Sequence, residues 1–316
     1  MNKLCFVIPC FNEEEVLAVT ITKLLQKMDS LEAKGMVSPE SRITLVDDGS
    51  TDGTWSVIRE YHQKHERIEG IKLSRNRGHQ YALLAGLLTV KDNFDVVVTM
   101  DADLQDDIEA VDKMLEAYVQ GAEIVYGVRS RRQSDTFFKR FTAESFYKLM
   151  HLMGVELVFN HADFRLLSQR ALNCLAEYKE ANLFLRGIIP LIGFKTDIVE
   201  YERHERFAGE TKYPLKKMLN IAADGITSFS IKPLRFIFVL GLVIFILSII
   251  MSVYFFLLHY QGKTVPGWTT IVMTVWAIGV LQLLSIGVVG EYVGKLYLEA
   301  KQRPRYFIEA YLRRDN

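Results

Sequence analysis

Cysteine is scarce. Cys5, Cys10 and Cys174 are the three present in 316 residues, odd in number and without a CxxC pair. That excludes a disulfide framework and a zinc site of paired thiolates, and it fits a reducing compartment. An excess of charge is also missing: 38 Lys and Arg balance 38 Asp and Glu, which removes the electrostatic argument for nucleic acid. No G-x-G-x-x-G follows the first apolar run and no Walker A pattern occurs anywhere, so neither glycine-rich phosphate cradle is available. Internal repeats and low-complexity tracts are absent. The opening apolar run, Leu4 to Phe11, is too short for a secretory signal and meets Asn12-Glu13-Glu14-Glu15 at once.

The apolar residues that are present, 49% of the chain, fall into two regimes. Up to about Tyr213, short β-branched runs alternate with helical periodicity. The pattern predicts strands at Leu4–Ile8 (stopped by Pro9), Ile43–Val46, Ile68–Leu73, Val96–Met100 and Glu123–Gly127. Between them it predicts helices at Glu13–Met28, Thr54–Gln63, Tyr81–Val90 and Asp107–Val119. Such alternation builds βαβ units and an α/β fold with a mostly parallel sheet.

After Pro233 the character changes. Residues 236–258 and 268–290 carry no charge, and each is about as long as the ~20 residues a helix needs to cross a bilayer. A pair of buried core helices is the alternative. The short link between the runs, His259 to Gly267, holds only Lys263, while Lys232, Arg235, Lys295, Lys301, Arg303 and Arg305 lie outside the pair. The positive-inside rule therefore expects both flanks and both termini in the cytoplasm, with Trp268 as an interfacial anchor. Residues 214–232 precede the first run with an apolar stripe at Leu215, Met218, Leu219, Ala222, Ile226 and Phe229. That stripe suits an interfacial helix on the inner leaflet, or an ordinary core-packing one. The expected layout is a catalytic domain over 1–213, a juxtamembrane helix over 214–232, a two-helix transmembrane hairpin over 233–291, and a cytoplasmic tail over 292–316.

Two acidic clusters follow predicted strands. Ile43-Thr44-Leu45-Val46 runs into Asp47-Asp48-Gly49-Ser50, and Val96 to Met100 runs into Asp101-Ala102-Asp103-Leu104-Gln105. Ligands of open α/β sheets bind beyond the carboxyl ends of such strands. Carboxylates there suit a hard divalent cation, which in turn holds a diphosphate. A capped turn before the helix at Thr54 is the plainer use of Asp47 and Asp48.

Together these motifs resemble family 2 glycosyltransferases of the GT-A fold, and within them the polyprenyl-phosphate glycosyltransferases, the dolichol-phosphate mannose synthase group and bactoprenol glucosyltransferases. The likeness extends over essentially the whole chain: Val7-Ile8-Pro9-Cys10-Phe11-Asn12-Glu13-Glu14, Val46 to Asp52, Asn76-Arg77-Gly78, Asp101 to Gln105, Asp163-Phe164-Arg165-Leu166, Arg206 to Tyr213, Gly290-Glu291-Tyr292 and Arg303 to Phe307. No Gln-x-x-Arg-Trp motif is present, which separates the chain from processive polysaccharide synthases. The intact acidic set argues against a non-catalytic anchor.

The resemblance implies that Pro9, Phe11, Glu13, Asp48 and Ser50, with Asp101, surround the base and ribose of a nucleotide sugar. It implies that Asp101, Asp103 and Gln105 face Mg²⁺ or Mn²⁺, with Asp103 essential to transfer. Asp163 is expected near the reacting centre, orienting sugar or acceptor more than removing a proton. Arg129 and Arg140 are expected on the acceptor phosphate, with Arg203, Arg206 and Lys212 in a loop closing over the phosphates. Arg131 and Arg132 would meet lipid headgroups or solvent, Lys139 belongs to the same basic run, and His161 is structural. The expected reaction is inverting transfer from a UDP-sugar, glucose before N-acetylglucosamine, to undecaprenyl phosphate at the cytoplasmic membrane face, with a homotetramer suggested by the relatives.

Overall fold

A computed structural model describes residues 1–129, 161–180, 184–202, 230, 232–261 and 267–314. The chain divides into two units: the first holds the described residues up to Glu202 and again from Arg303, the second those from Ser230 to Gln302.

The first unit is built on β1 (Leu4–Cys10), β2 (Arg42–Asp47), β3 (Ile68–Leu73), β4 (Val96–Thr99), β5 (Ile124–Arg129), β6 (His161–Ser168), β7 (Thr196–Tyr201) and β8 (Ile308–Leu312). They form one sheet in the order β7-β5-β6-β4-β1-β2-β3-β8. The pairs β1–β2, β1–β4, β2–β3 and β5–β7 are parallel, whereas β4–β6, β5–β6 and β3–β8 are antiparallel. The sheet is thus mostly parallel, as expected, with β6 inserted against the grain between β4 and β5.

Helices α1 (Glu14–Ala33), α2 (Thr54–Lys64), α3 (His79–Val90), α4 (Ala110–Val119), α5 (Gln169–Glu177) and α6 (Leu185–Leu191) complete the unit. Every residue of β1 is buried, because the strand is covered on both faces. One face presents Leu4, Phe6 and Ile8 to Leu17, Ile21, Leu24 and Met28 of α1 and to Val111 and Met114 of α4. On the other face α3 packs on β1 and β2. It comes so close that a Cβ on Gly86 would fall 2.4 Å from Val7 and 2.8 Å from Val46.

Pro9 does not stop β1. The strand continues through Pro9 to Cys10 opposite Val46 and Asp47, because the β4 ladder ends at Val7–Thr99 and Pro9 has no partner there for a missing N–H. The segment expected as part of a tail supplies β8, which pairs with the outer edge of β3.

The second unit contains α7 (Lys232–Tyr260) and α8 (Trp268–Ala300). Among the described residues one segment, Ala277–Ala300, is long and apolar enough to cross a membrane, and none of that window is buried. The two-helix transmembrane hairpin expected over 233–291 is not shown, and the apolar window lies toward the C-terminal side of 268–290. The amphipathic segment 214–230 lies outside the described residues except Ser230.

Candidate active site

The carboxyl ends of the adjacent strands β4, β1 and β2 carry three loops that are sewn together. After β1, Asn12 donates its backbone N–H to Ser50 Oγ at 3.0 Å, and its own Oδ1 accepts from Thr51 N at 2.9 Å. Glu13 N donates to Thr54 Oγ1 at 2.9 Å. Asn12 adopts φ 54, a left-handed backbone that Asn tolerates. Phe11 beside it remains 44% exposed, an aromatic face open for stacking.

After β2, the two aspartates do different work. Asp47 Oδ1 accepts from Ser50 N at 3.0 Å and closes the turn, while its buried Oδ2 has no partner among the described residues. Burial pushes the Asp47 carboxyl up, the contacts from Ser50 opposing. Asp48 Oδ1 accepts from Arg77 N at 2.7 Å and Oδ2 from Gly78 N at 2.8 Å. Burial raises its pKa as well, against the pull of those two amides. Neither caps α2, because Asp52 Oδ1 takes Thr54 N at 3.0 Å. Gly49 adopts φ 67, and a Cβ there would lie 2.5 Å from Arg75 C and Asn76 N. The backbone of the 75–78 loop therefore rests directly on the Asp48 turn.

After β4, Leu104 takes φ 55, a strained conformation for a bulky residue. The kink lets Asp103 Oδ1 accept from Gln105 N at 3.2 Å. Asp101 keeps 36% of its side chain accessible. Even so, its pKa is pushed up to about 6, mainly by burial, with His79 opposing and the carboxylates of Asp106, Asp163 and Asp103 adding. Asp106 Oδ1 accepts from Tyr201 OH and from Arg129 Nη2, the latter at 3.4 Å; Arg129 Nε also reaches Tyr201 OH at 3.2 Å. Arg129, expected on an acceptor phosphate, thus ties the end of β5 to β7 and to the loop after Asp103.

The deepest cluster centres on Asp163, 6% exposed near the start of β6. Its Oδ1 accepts from Arg165 Nη2 and from Arg186 Nε at 3.3 Å. Its Oδ2 accepts from Arg186 Nη2 at 3.0 Å and lies 3.3 Å from His79 Nε2. Burial alone would raise this pKa, but Arg165, His79 and Arg186 outweigh it and hold the carboxyl well below the usual range. Arg165 is fully buried and its Nε and Nη1 find no partner among the described residues. His79 Nε2 also approaches Asp101 Oδ1 at 3.7 Å. Burial disfavours the charged ring, yet Asp163 and Asp101 raise its pKa overall.

A carboxylate offers about four lone-pair sites, and those of Asp163 are taken by Arg165, Arg186 and His79. Those contacts hold the carboxylate in place and keep it ionised near neutral pH. For a divalent cation the donors Asp101 and Asp103 have suitable hard oxygens, and a cation would offset both the burial and the neighbouring carboxylates that raise Asp101. Their carboxylates are not drawn together in advance: no three His, Cys, Asp or Glu side chains converge on one ion position among the described residues.

The structure thus brings Pro9, Phe11, Glu13, Asp48, Ser50, Asp101, Asp103 and Gln105 to the same end of adjacent strands, and adds Asp163 from β6. Arg131, Arg132, Lys139, Arg140, Arg203, Arg206 and Lys212 lie outside the described residues. Sequence reading missed His79, Arg165 and Arg186. The spacing Asp163-x-Arg165 puts both side chains on one face of a strand and could have signalled the first pair; nothing local links either to His79 or Arg186.

The model of the Glycosyl transferase family 2 domain matches residues 5–176. The chain is 50% identical over 306 residues, 97% of its length and 91% of the relative's, to the uncharacterized glycosyltransferase YkoT of Bacillus subtilis (strain 168). It is 38% identical over 309 residues, covering 97% of this chain and 98% of the other, to a prophage bactoprenol glucosyl transferase homolog of Escherichia coli (strain K12). Among solved structures, glucosyl-3-phosphoglycerate synthase of Mycobacterium tuberculosis, crystallised with Mn²⁺, UDP and phosphoglyceric acid, covers 72% of this chain and 76% of its own at 16% identity, with a TM-score of 0.45.

Proposed function

The chain belongs to glycosyl transferase family 2, and from that premise we propose that it transfers a sugar, glucose first and N-acetylglucosamine second, from a UDP-sugar to a polyprenyl phosphate at the cytoplasmic face of a membrane. The observation that carries this reading is the saturation of Asp163 by Arg165, Arg186 and His79. A sugar hydroxyl needs a base to take its proton, and Asp163 is not one. A phosphomonoester brings an oxygen already ionised near pH 7, its second pKa being near 6. The E. coli relative's name, bactoprenol glucosyl transferase homolog, supports the same acceptor class.

In this reading the acceptor phosphate oxygen forms the new bond to the anomeric carbon, the bond from that carbon to the diphosphate oxygen breaks, and UDP departs with the electron pair, inverting the configuration. Phe11 stacks on the base, and the turn held by Asp48 shapes the ribose side. Asp101 and Asp103, with Gln105 beside them, would hold Mg²⁺ or Mn²⁺; bound there, the ion would neutralise charge on the leaving diphosphate. Asp163 and Arg186 fix the floor on which sugar and acceptor meet. Arg140, Arg203, Arg206 and Lys212 are assigned to the acceptor phosphate.

For the membrane arrangement we propose that α7 and α8 both span, as a hairpin. Phe236 and Phe238 of α7 and Leu283 and Leu284 of α8 are exposed, and apolar surface on this scale suits lipid. The chain leaves the first unit before α7 and rejoins it from Arg303, and a segment that starts and ends on one side crosses an even number of times. The amphipathic segment 214–232 is assigned to the inner leaflet and a homotetramer to the assembly.

The test incubates the full-length chain with radiolabelled UDP-sugars, Mn²⁺ or Mg²⁺ and undecaprenyl phosphate, followed by lipid extraction. Label is expected in the lipid phase with the wild type and not with Asp103→Ala. No lipid-linked label from any donor would refute the reading, and normal turnover by Asp103→Ala would remove the cation assignment.

A further inference from the structure

One imidazole bridges two carboxylates that arrive from different strands, on a loop that a third carboxylate holds. His79 Nε2 lies 3.3 Å from Asp163 Oδ2, on β6, and 3.7 Å from Asp101 Oδ1, just beyond β4. The place of the ring is dictated by Asp48, beyond β2. That carboxylate takes the backbone N–H groups of Arg77 and Gly78 at 2.7 and 2.8 Å, the two residues that lead into His79. Gly78, at φ 92, then turns the chain into α3, so His79 is the first residue of that helix. The loop is also braced from the far end of the chain, because Arg77 Nε donates to Arg305 O at 2.6 Å and Nη2 to Pro304 O at 3.1 Å. His79 therefore stands on a loop held from both sides, and 40% of its side chain is accessible.

We infer that His79 is a positioning residue for the transfer: by bonding to Asp163 while touching Asp101, it fixes the carboxylate on the leaving-group side relative to the Asp163–Arg186 anchor on the acceptor side. This inference rests on the proposed transfer reaction. Asp101 lies in a loop strained at Leu104, whereas Asp163 is pinned by a fully buried arginine. Among the described ion pairs His79 alone contacts both. Removing the ring leaves each carboxylate in place but frees their separation. Misplacing reacting groups by about 1 Å can cost on the order of 10²-fold in rate, with little change in how tightly the nucleotide is held.

The experiment compares the wild type, His79→Ala and His79→Gln, which retains an N–H donor of similar reach. It uses the full-length chain in detergent micelles, with UDP-glucose and UDP-N-acetylglucosamine as donors and undecaprenyl phosphate as acceptor. Initial rates give kcat and KM, UDP titration calorimetry gives Kd, and thermal unfolding gives Tm. His79→Ala is expected to lower kcat about 10²-fold with KM for the donor and Kd for UDP within about threefold of wild type, and His79→Gln to recover at least about tenfold of the loss. Wild-type kcat in His79→Ala overturns the inference. So does a loss that follows weakened UDP binding or a lowered Tm, with His79→Gln no better than Ala. A wild type that binds UDP but labels no lipid overturns the transfer reaction itself, and this inference with it.

Discussion

Asp48 and Asp163 are both buried aspartates at the same end of the sheet, yet they are held in opposite ways. Asp48 accepts from backbone amides, those of Arg77 and Gly78. Asp163 accepts from side chains, those of Arg165 and Arg186, beside His79. Amides carry only partial charge, so burial wins at Asp48 and its pKa rises. Guanidinium groups carry full charge, so they win at Asp163 and its pKa falls. A carboxylate held by backbone is sensitive to the conformation of the turn and indifferent to most side chains nearby. One held by side chains is the reverse. The Asp48 end of the site is therefore specified by glycines, and the Asp163 end by arginines.

The largest expected effect comes from breaking the side-chain end. Arg165→Met leaves Asp163 buried without one of its three partners and should cost about 3–5 kcal/mol of stability, as loss of one partner of a buried pair does; denaturant unfolding reads it directly. At the backbone end, Gly49→Ala forces a Cβ to within 2.5 Å of the Arg75–Asn76 backbone at φ 67. The strain, on the order of 1–3 kcal/mol, falls on the loop that Asp48 grips. UDP affinity should drop by about tenfold or more, measured by calorimetry; Gly78→Ser adds no clash but is strained at φ 92, so it too should weaken UDP binding.

Asp163→Asn sharpens the contrast further. An amide keeps one acceptor oxygen and loses the charge, so transfer should fall by about 10–100-fold and not to zero. Between pH 6 and 9 the shape of its pH–rate profile should match wild type, because Asp163 is already ionised throughout that window. An acidic limb present in the wild type and lost in the variant would identify Asp163 as a base after all.

The smallest effect concerns Glu69, 5% exposed on β3, which accepts from Thr44 Oγ1 and Tyr311 OH, both at 3.2 Å. Burial raises its pKa, with Tyr311 and Thr44 opposing. The folded chain thus holds this proton more tightly than the unfolded one, whose Glu titrates near 4.3. Stability from this group is fullest below that value and declines as pH rises through the raised folded pKa. Glu69→Gln should therefore gain Tm relative to wild type from pH 4 to pH 8, by a few degrees.

The same contrast explains what could be read from the sequence. Strands β1 to β5 were legible because each is a short apolar run, and the acidic turns after β2 and β4 announce themselves within a few residues. β6 was not, because Asp163 and Arg165 interrupt its apolar run, and their polarity makes sense only once each is seen as the other's partner. β7 breaks its alternation at Ile198, which is 53% exposed on the sheet edge. β8 is a half-exposed pentapeptide that follows a 33-residue helix. Asp48 was legible from its own acidic turn after β2, but its partners, the amides of Arg77 and Gly78, lie on a separate loop that the turn does not announce. The partners of Asp163 lie at His79 and Arg186, and no periodicity links positions so far apart.

The last strand has a consequence for how the protein is made. β8 pairs with β3, some 240 residues upstream in the register Ile71–Tyr311. During synthesis β3 must wait, one rim unpaired, until both long helices have emerged and the closing five residues arrive. Waiting edges of this kind invite pairing with the wrong chain. A ribosome that stalls before Ile308, or a nonsense codon there, would leave a sheet that keeps Asp48, Asp101, Asp103 and Asp163 yet is sticky along one side.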